Sequence, residues 1–248
     1  MLDKEKLKKI AKLNNLKPWQ QEKQYIQSLI LTILSEESLI FKGGTYLWFF
    51  QGLNRFSEDL DFTVYEKLPP NLSKKVSESL ELFGVENSIK IIHDDEKSLS
   101  FRISAKGPLN TSEKDLCFVY VEISKREKIL KKPKTYKLEF PEYSSPIKFI
   151  LGMNIEEVVS EKVRAVMTRK KKRDIYDLWY LIKNKKIKFN KDLINEKLKY
   201  YKEEFSEKAF ISEIKKQEKN FKKELTPLVF SEVPSFKECL KIIEKWID

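Results

Sequence analysis

Two carboxylates one residue apart, Asp59 and Asp61, close a stretch that begins with an apolar run, Leu39-Ile40-Phe41, and turns through Gly43-Gly44-Thr45. In an apolar strand carrying Leu60, Phe62 and Val64, alternation sends both acids to one side, where they repel each other unless something cationic lies between them. A divalent metal meets that need. A D-x-D pair by itself is also common in surface strands and turns. Here it follows two glycines placed between a strand and what reads as a short helix from Thr45, an arrangement that lets a phosphate approach backbone N–H groups and a helix N-terminus. Glu122, in the β-branched and aromatic run Phe118-Val119-Tyr120-Val121-Glu122-Ile123, supplies a third acid on what reads as a neighbouring strand. Three carboxylates, two adjacent strands and a Gly-Gly turn suggest two-metal phosphoryl or nucleotidyl transfer.

Composition sets the outer bounds. At 248 residues and 41% hydrophobic content the chain can bury a sizeable core as one large domain or two modest ones. No window is apolar enough to span a bilayer and the first residues lack an apolar signal core, so a cytoplasmic protein without a membrane partner is expected. With 49 Lys and Arg against 38 Asp and Glu, the formal charge of +11 favours polyanions, although a lysine-rich coding bias gives the same count. Cys117 and Cys239 have no metal-ligand companions and read as buried thiols, and the single His93 reads as a turn residue.

Texture changes along the chain. Residues 3 to 14 and 18 to 35 read as helices, the second opened by Pro18. From 38 to 125, short apolar runs (38–41, 60–65, 88–93, 99–104 and 116–123) alternate with turn-rich connectors and one helix near 72 to 83, which predicts a small mixed sheet flanked by helices. Residues 125 to 150 are basic and proline-bearing, consistent with a linking segment or an extended edge. After Asn154 the pattern is helical over 155–169, 174–184, 190–202, 206–224 and 235–247. The expected class is α+β: a sheet domain over 1–150, then a C-terminal helical bundle over 151–248.

Gly43-Gly44-Thr45-x-Leu47, Gly52-Leu53-x-Arg55-x-Ser57-x-Asp59-x-Asp61-Phe62, Glu161-Lys162-x-Arg164-Ala165 and Arg173-Asp174-x-Tyr176-Asp177-Leu178 together resemble the AbiEii/AbiGii family of nucleotidyltransferase toxins, which are MenT-like members of the DNA polymerase β-like superfamily. The blocks span roughly residues 38 to 182. Fourteen residues lie between Gly44 and Asp59, a slightly longer spacing than in many branches of that superfamily. The resemblance implies Mg²⁺ or Mn²⁺ on Asp59, Asp61 and Glu122, an NTP substrate held by Gly43, Gly44, Thr45, Arg55, Ser57, Lys162 and Arg169, an antitoxin partner, and tRNA or another RNA as acceptor. The same site could serve a small-molecule or protein acceptor, and a non-catalytic nucleotide- or RNA-binding protein is the reading from a different class.

Lys162 falls within the stripe made by Ile155, Val158, Val159 and Val166, so its ammonium needs a partner on the packed side of its helix. A triphosphate or a core carboxylate would each suit it. Arg169 and Arg173 follow on about the same face if the helix continues. The run Arg169-Lys170-Lys171-Lys172-Arg173 reads either as a solvated helix end or as a contact with an RNA backbone. Asp174 could cap the next helix, while the family block makes Asp174 or Asp177 a candidate to orient Lys162 or to act as a base on the acceptor hydroxyl.

Overall fold

A computed structural model describes residues 2–248 and divides into two compact units. One comprises the chain up to Gln51 together with Ser57–Ile129 and Pro133–Gly152. The other comprises Gly52–Phe56, Leu130–Lys132 and Met153–Asp248.

The first unit is built on a mixed seven-stranded sheet: β1 (Leu39–Lys42), β2 (Leu60–Val64), β3 (Asn87–Asp94), β4 (Ser98–Ala105), β5 (Cys117–Ser124), β6 (Lys134–Leu138) and β7 (Lys148–Gly152), in the order β3-β4-β5-β2-β1-β7-β6. β2 runs parallel to β5 and β1 parallel to β7, while the other neighbours are antiparallel. The burial pattern explains the central strands. β1 is buried at every position, and β5 buries Cys117, Val119, Val121 and Ile123 while turning Phe118, Tyr120 and Glu122 outward. Each such buried aliphatic side chain contributes about 1.5–3 kcal/mol of transfer free energy.

Helices α1 (Lys4–Leu13), α2 (Pro18–Leu34), α3 (Gly43–Gln51) and α4 (Leu72–Leu82) accompany the sheet. Asp3 caps α1 by accepting from Lys6 N. Pro18 opens α2, and the Gln20 side chain returns to Lys17 N. The sheet is larger than the apolar runs predict, because β6 and β7 lie in the segment read as basic and proline-bearing. β6 forms the extended edge, where exposed lysines discourage pairing with another chain.

The second unit is helical: α5 (Ile155–Thr168), α6 (Lys172–Lys185), α7 (Lys191–Leu198), α8 (Glu207–Lys215), α9 (Phe221–Leu225) and α10 (Phe236–Ile247). α5 packs on α6, α7 and α8, and α10 packs on α6. Asn154 caps α5 as expected. Two boundaries differ from the sequence reading. The helix expected over 206–224 is broken into α8 and α9, with Asn220 in the left-handed region at φ +63°. α5 stops at Thr168, and Arg169 is extended, so Arg169 and Arg173 do not continue its face. Burial pushes the Cys117 thiol up to about 12, and both cysteines are free and buried.

Candidate active site

The acids of the first unit are set by β2 and its neighbours. β2 begins at Leu60, so Asp59 lies one residue before the strand and Asp61 within it. Asp61 pairs in register with Lys42 on β1 and with Glu122 on β5, and cross-strand partners share a face of the sheet. Asp61 is half-buried and Glu122 exposed, while Leu60 between the two aspartates is fully buried.

The glycine turn is tied to these acids. Gly43 has φ +77°, and a Cβ built there would lie 2.7 Å from Cγ and 2.8 Å from Cβ of Asp61, so only glycine brings the chain this close to the carboxylate. Thr45 Oγ1 donates to Asp59 O at 2.6 Å. From α2, Gln27 Nε2 donates to Ser57 O at 3.2 Å and to Glu58 O at 2.9 Å. The backbone entering Asp59 is therefore held from two helices.

Gln27 was not singled out from the sequence; its signal is an amide in an otherwise apolar stretch of α2. Lys42 and Glu127 were also missed. Lys42 is buried, its ammonium meets the Glu127 carboxylate, and Thr63 Oγ1 lies 3.5 Å from the same carboxylate. Lys42 adjoins Gly43 in sequence, whereas nothing local marks Glu127.

Among the described residues, no group of three His, Cys, Asp or Glu side chains is gathered closely enough to hold one metal ion. Asp61 and Glu122 are nevertheless hard oxygen donors in register. Mg²⁺ commonly takes one or two carboxylates and completes its shell with substrate phosphates and water, so this pair fits such an ion.

The second unit holds a buried charge cluster. Lys162 Nζ lies 3.0 Å from Asp174 Oδ1 and 2.6 Å from Asp177 Oδ2. Arg55 Nε and Nη2 donate to the two oxygens of Asp177 at 2.6 and 2.7 Å, and its Nη1 donates to Phe56 O. Arg169 Nε and Nη2 donate to Asp174 at 2.8 and 2.9 Å. Asp174 and Asp177 are inaccessible to solvent, Arg55 is 1% exposed, and the Arg169 side chain is 44% exposed.

Burial alone would raise both carboxyls; Lys162 and Arg169 beside Asp174, and Arg55 and Lys162 beside Asp177, outweigh it and hold them below the usual carboxylate range. Such acids orient Lys162 well and accept a proton poorly. Asp174 does not cap α6 with its side chain, because Lys171 is the N-cap residue. Lys162 thus has core carboxylates as partners, and the Arg55 guanidinium is occupied by Asp177 and Phe56. A second buried group joins Lys197 to Glu157 at 2.6 Å and to Glu161 at 3.2 Å, and Glu157 also accepts from Leu130 N and Lys131 N.

The family described as "Nucleotidyl transferase AbiEii toxin, Type IV TA system" matches residues 27–242. The chain belongs to this family. Membership makes it a nucleotidyltransferase toxin of a type IV toxin–antitoxin system and implies an antitoxin and an NTP substrate. The fold agrees with solved structures. A candidate nucleotidyltransferase from H. pylori superposes with a TM-score of 0.65 at 22% identity, covering 91% of each chain. JHP933 from Helicobacter pylori gives 0.62 at 22% identity, again over 91% of each chain. MenT4, a nucleotidyltransferase toxin from Mycobacterium tuberculosis H37Rv, gives 0.61 at 17% identity, covering 93% of this chain and 83% of its own. No curated protein sequence matches. Among the described residues of this AbiEii chain, no helix is long and apolar enough to cross a membrane.

Proposed function

We propose that this AbiEii protein transfers an NMP from an NTP to the 3′-terminal hydroxyl of tRNA, in the cytoplasm, and that an antitoxin restrains it. The observation that carries this reading is the register of Asp61 with Glu122 beside the Gly43–Gly44 turn. In the reaction, the acceptor hydroxyl oxygen forms a bond to the α-phosphorus as its proton is released to solvent, the α–β phosphoanhydride bond breaks, and pyrophosphate leaves with the electron pair.

Asp59, Asp61 and Glu122 are the residues that would hold Mg²⁺ or Mn²⁺. When bound, the ion lowers the pKa of the attacking hydroxyl and neutralises charge on the leaving pyrophosphate. Gly43 and Gly44 admit phosphate oxygens to the start of α3, where backbone N–H groups and the helix dipole favour an anion. Thr45 and Gln27 fix the backbone that presents Asp59, and Ser57 lies within that held segment. In the helical unit, three cations face two aspartates. There Arg55, Asp174 and Asp177 keep Lys162 and Arg169 in place.

The test is incubation with each α-labelled NTP and total tRNA, with wild-type protein and Asp61→Ala side by side. Label entering RNA from at least one NTP, and absent with Asp61→Ala, supports the reading. Equal labelling by the two proteins, or none with any NTP, overturns it.

A further inference from the structure

The β3–β4–β5 part of the sheet has one packed side and one open side. Leu99, Phe101, Ile103, Val119, Val121 and Ile123 are buried on the packed side. The open side carries Phe118, Tyr120 and Glu122 along β5, Arg102 on β4 and Lys90 on β3, with Tyr120 in register with Arg102 and Arg102 with Lys90. Phe118 and Tyr120 are 38% and 42% exposed. An exposed face of an antiparallel sheet is ordinarily polar, so two adjacent aromatic rings on one are a departure.

The cations beside those rings say what kind of partner the face suits. The Arg102 guanidinium carbon lies 4.7 Å from the centroid of the Phe118 ring, and its Nε is buried with no hydrogen-bond partner. Lys90 is exposed next to it. Aromatic faces interleaved with cations are the means by which proteins hold single-stranded nucleic acid: bases stack on the rings and phosphates meet the charges. A duplex offers no free base faces to such a surface. The net charge of +11 has the sign such a partner requires. The row is also continuous with the acids, since Glu122 follows Tyr120 on the same strand face and pairs with Asp61.

We propose that the open face of β3–β5 binds the last unpaired nucleotides of the RNA acceptor, with bases on Tyr120 and Phe118 and phosphates on Arg102 and Lys90, leading the terminal hydroxyl toward Asp61 and Glu122. This rests on the nucleotidyl-transfer reading above and identifies what that site uses to recognise its acceptor: a single-stranded end rather than a helix.

The test measures binding without turnover. A fluorescein-labelled 12-nucleotide single-stranded RNA and a blunt duplex of the same sequence are titrated with wild type, Phe118→Thr, Tyr120→Leu and Tyr120→Phe, without NTP. Thr favours strands, and Leu keeps the apolar bulk while removing the π-face, so each replacement suits an exposed strand position; an unchanged thermal midpoint verifies folding. Phe118→Thr and Tyr120→Leu are each expected to weaken single-strand binding about tenfold, and Tyr120→Phe to leave it unchanged, because stacking needs only the ring. Duplex affinity should not move. Wild-type single-strand affinity in both Phe118→Thr and Tyr120→Leu, or an equal loss for single strand and duplex, overturns the proposal. If tRNA is never labelled but these variants lose single-strand affinity, the transfer reading fails and the platform stands. If tRNA is labelled and the variants bind as wild type does, transfer stands and the platform falls.

Discussion

Gly43, the residue that follows β1, lies against Asp61 of β2, with the glycine Cα where any side chain would meet the aspartate carboxylate. Gly43→Ala therefore has two costs: a positive φ that alanine adopts poorly and an overlap that displaces Asp61. Together these should destabilise the sheet unit by about 1–3 kcal/mol and reduce transfer more than stability alone explains. Gly44 lacks a positive φ, so Gly44→Ala should cost less stability than Gly43→Ala. Equal activity in Gly43→Ala and wild type would show that the close approach is dispensable.

Asp61→Asn and Glu122→Gln keep size and shape while removing charge. Each should lower transfer by about a hundredfold or more, roughly 2.7 kcal/mol of lost transition-state stabilisation, with little change in the thermal midpoint. Initial-rate measurements at saturating NTP and varied Mg²⁺ check this. Retention of wild-type rate in both variants would remove the acids from the reaction.

Asp177 accepts from Arg55 and Lys162 inside the helical unit, so Asp177→Leu leaves two buried cations without their shared partner and should destabilise by about 3–5 kcal/mol. Adding Arg55→Met should recover part of that loss, since an apolar pair replaces a broken ionic one. Urea unfolding of the two single variants and the double variant gives the coupling directly. Strict additivity would mean that the pair is not acting as a unit.

Acid should weaken the same cluster. Asp174 and Asp177 have folded-state values below their ordinary ones, so their contribution is complete above about pH 4, the unfolded carboxylate value, and is lost as pH falls through the lower folded values. The urea midpoint of the helical unit should be insensitive to these groups from pH 7 to about 4 and drop below that. Asp174→Asn combined with Asp177→Asn should flatten the drop. An unchanged acid limb in the double variant would assign the loss to other carboxylates.

The basic run after α5 is now divided. Lys172 pairs with Glu224 at 2.6 Å, whereas Lys170 and Lys171 are exposed. Changing Lys170 and Lys171 to Ser should raise the RNA acceptor's apparent KM and reduce its logarithmic salt dependence by up to about 1.4–1.8, at roughly 0.7–0.9 per lost phosphate contact. An unaltered slope rejects these lysines as RNA contacts.

Much of this architecture was legible because it follows local periodicity. The alternation around Leu60 and along Cys117–Ile123 announced β2 and β5, and the parallel register then brought Asp61 beside Glu122. The stripe of α5 showed that Lys162 points inward, and the next helix supplied the carboxylates it needs. What stayed hidden depends on contacts distant in sequence. Arg55 reads as an NTP contact from its motif, and nothing near it announces Asp177, 122 positions later, which accepts from it. β6 has lysine at two of its five positions, and the apolar part of β7, Phe149-Ile150-Leu151, is only three residues long within a basic, proline-bearing segment. The end of α5 at Thr168 was equally obscure, since Arg and Lys are good helix formers and nothing in Arg169–Lys171 forbids another turn.

Residues 52–56 and 130–132 belong with the helices although sheet segments flank each in sequence. On a ribosome this has a temporal meaning. Arg55 emerges long before Asp177 exists, and the amides of Leu130 and Lys131 emerge before Glu157, which will accept from them. The helical unit therefore cannot complete its polar interior from its own contiguous stretch, and a fragment beginning at Met153 would be born without the guanidinium that Asp177 was built to receive. Maturation of the toxin is a whole-chain event: the nascent protein carries Arg55 without its aspartate for the 122 positions that separate the two, about half of its synthesis, and any nuclease-truncated message or stalled ribosome releases a chain whose last unit is still missing part of its core.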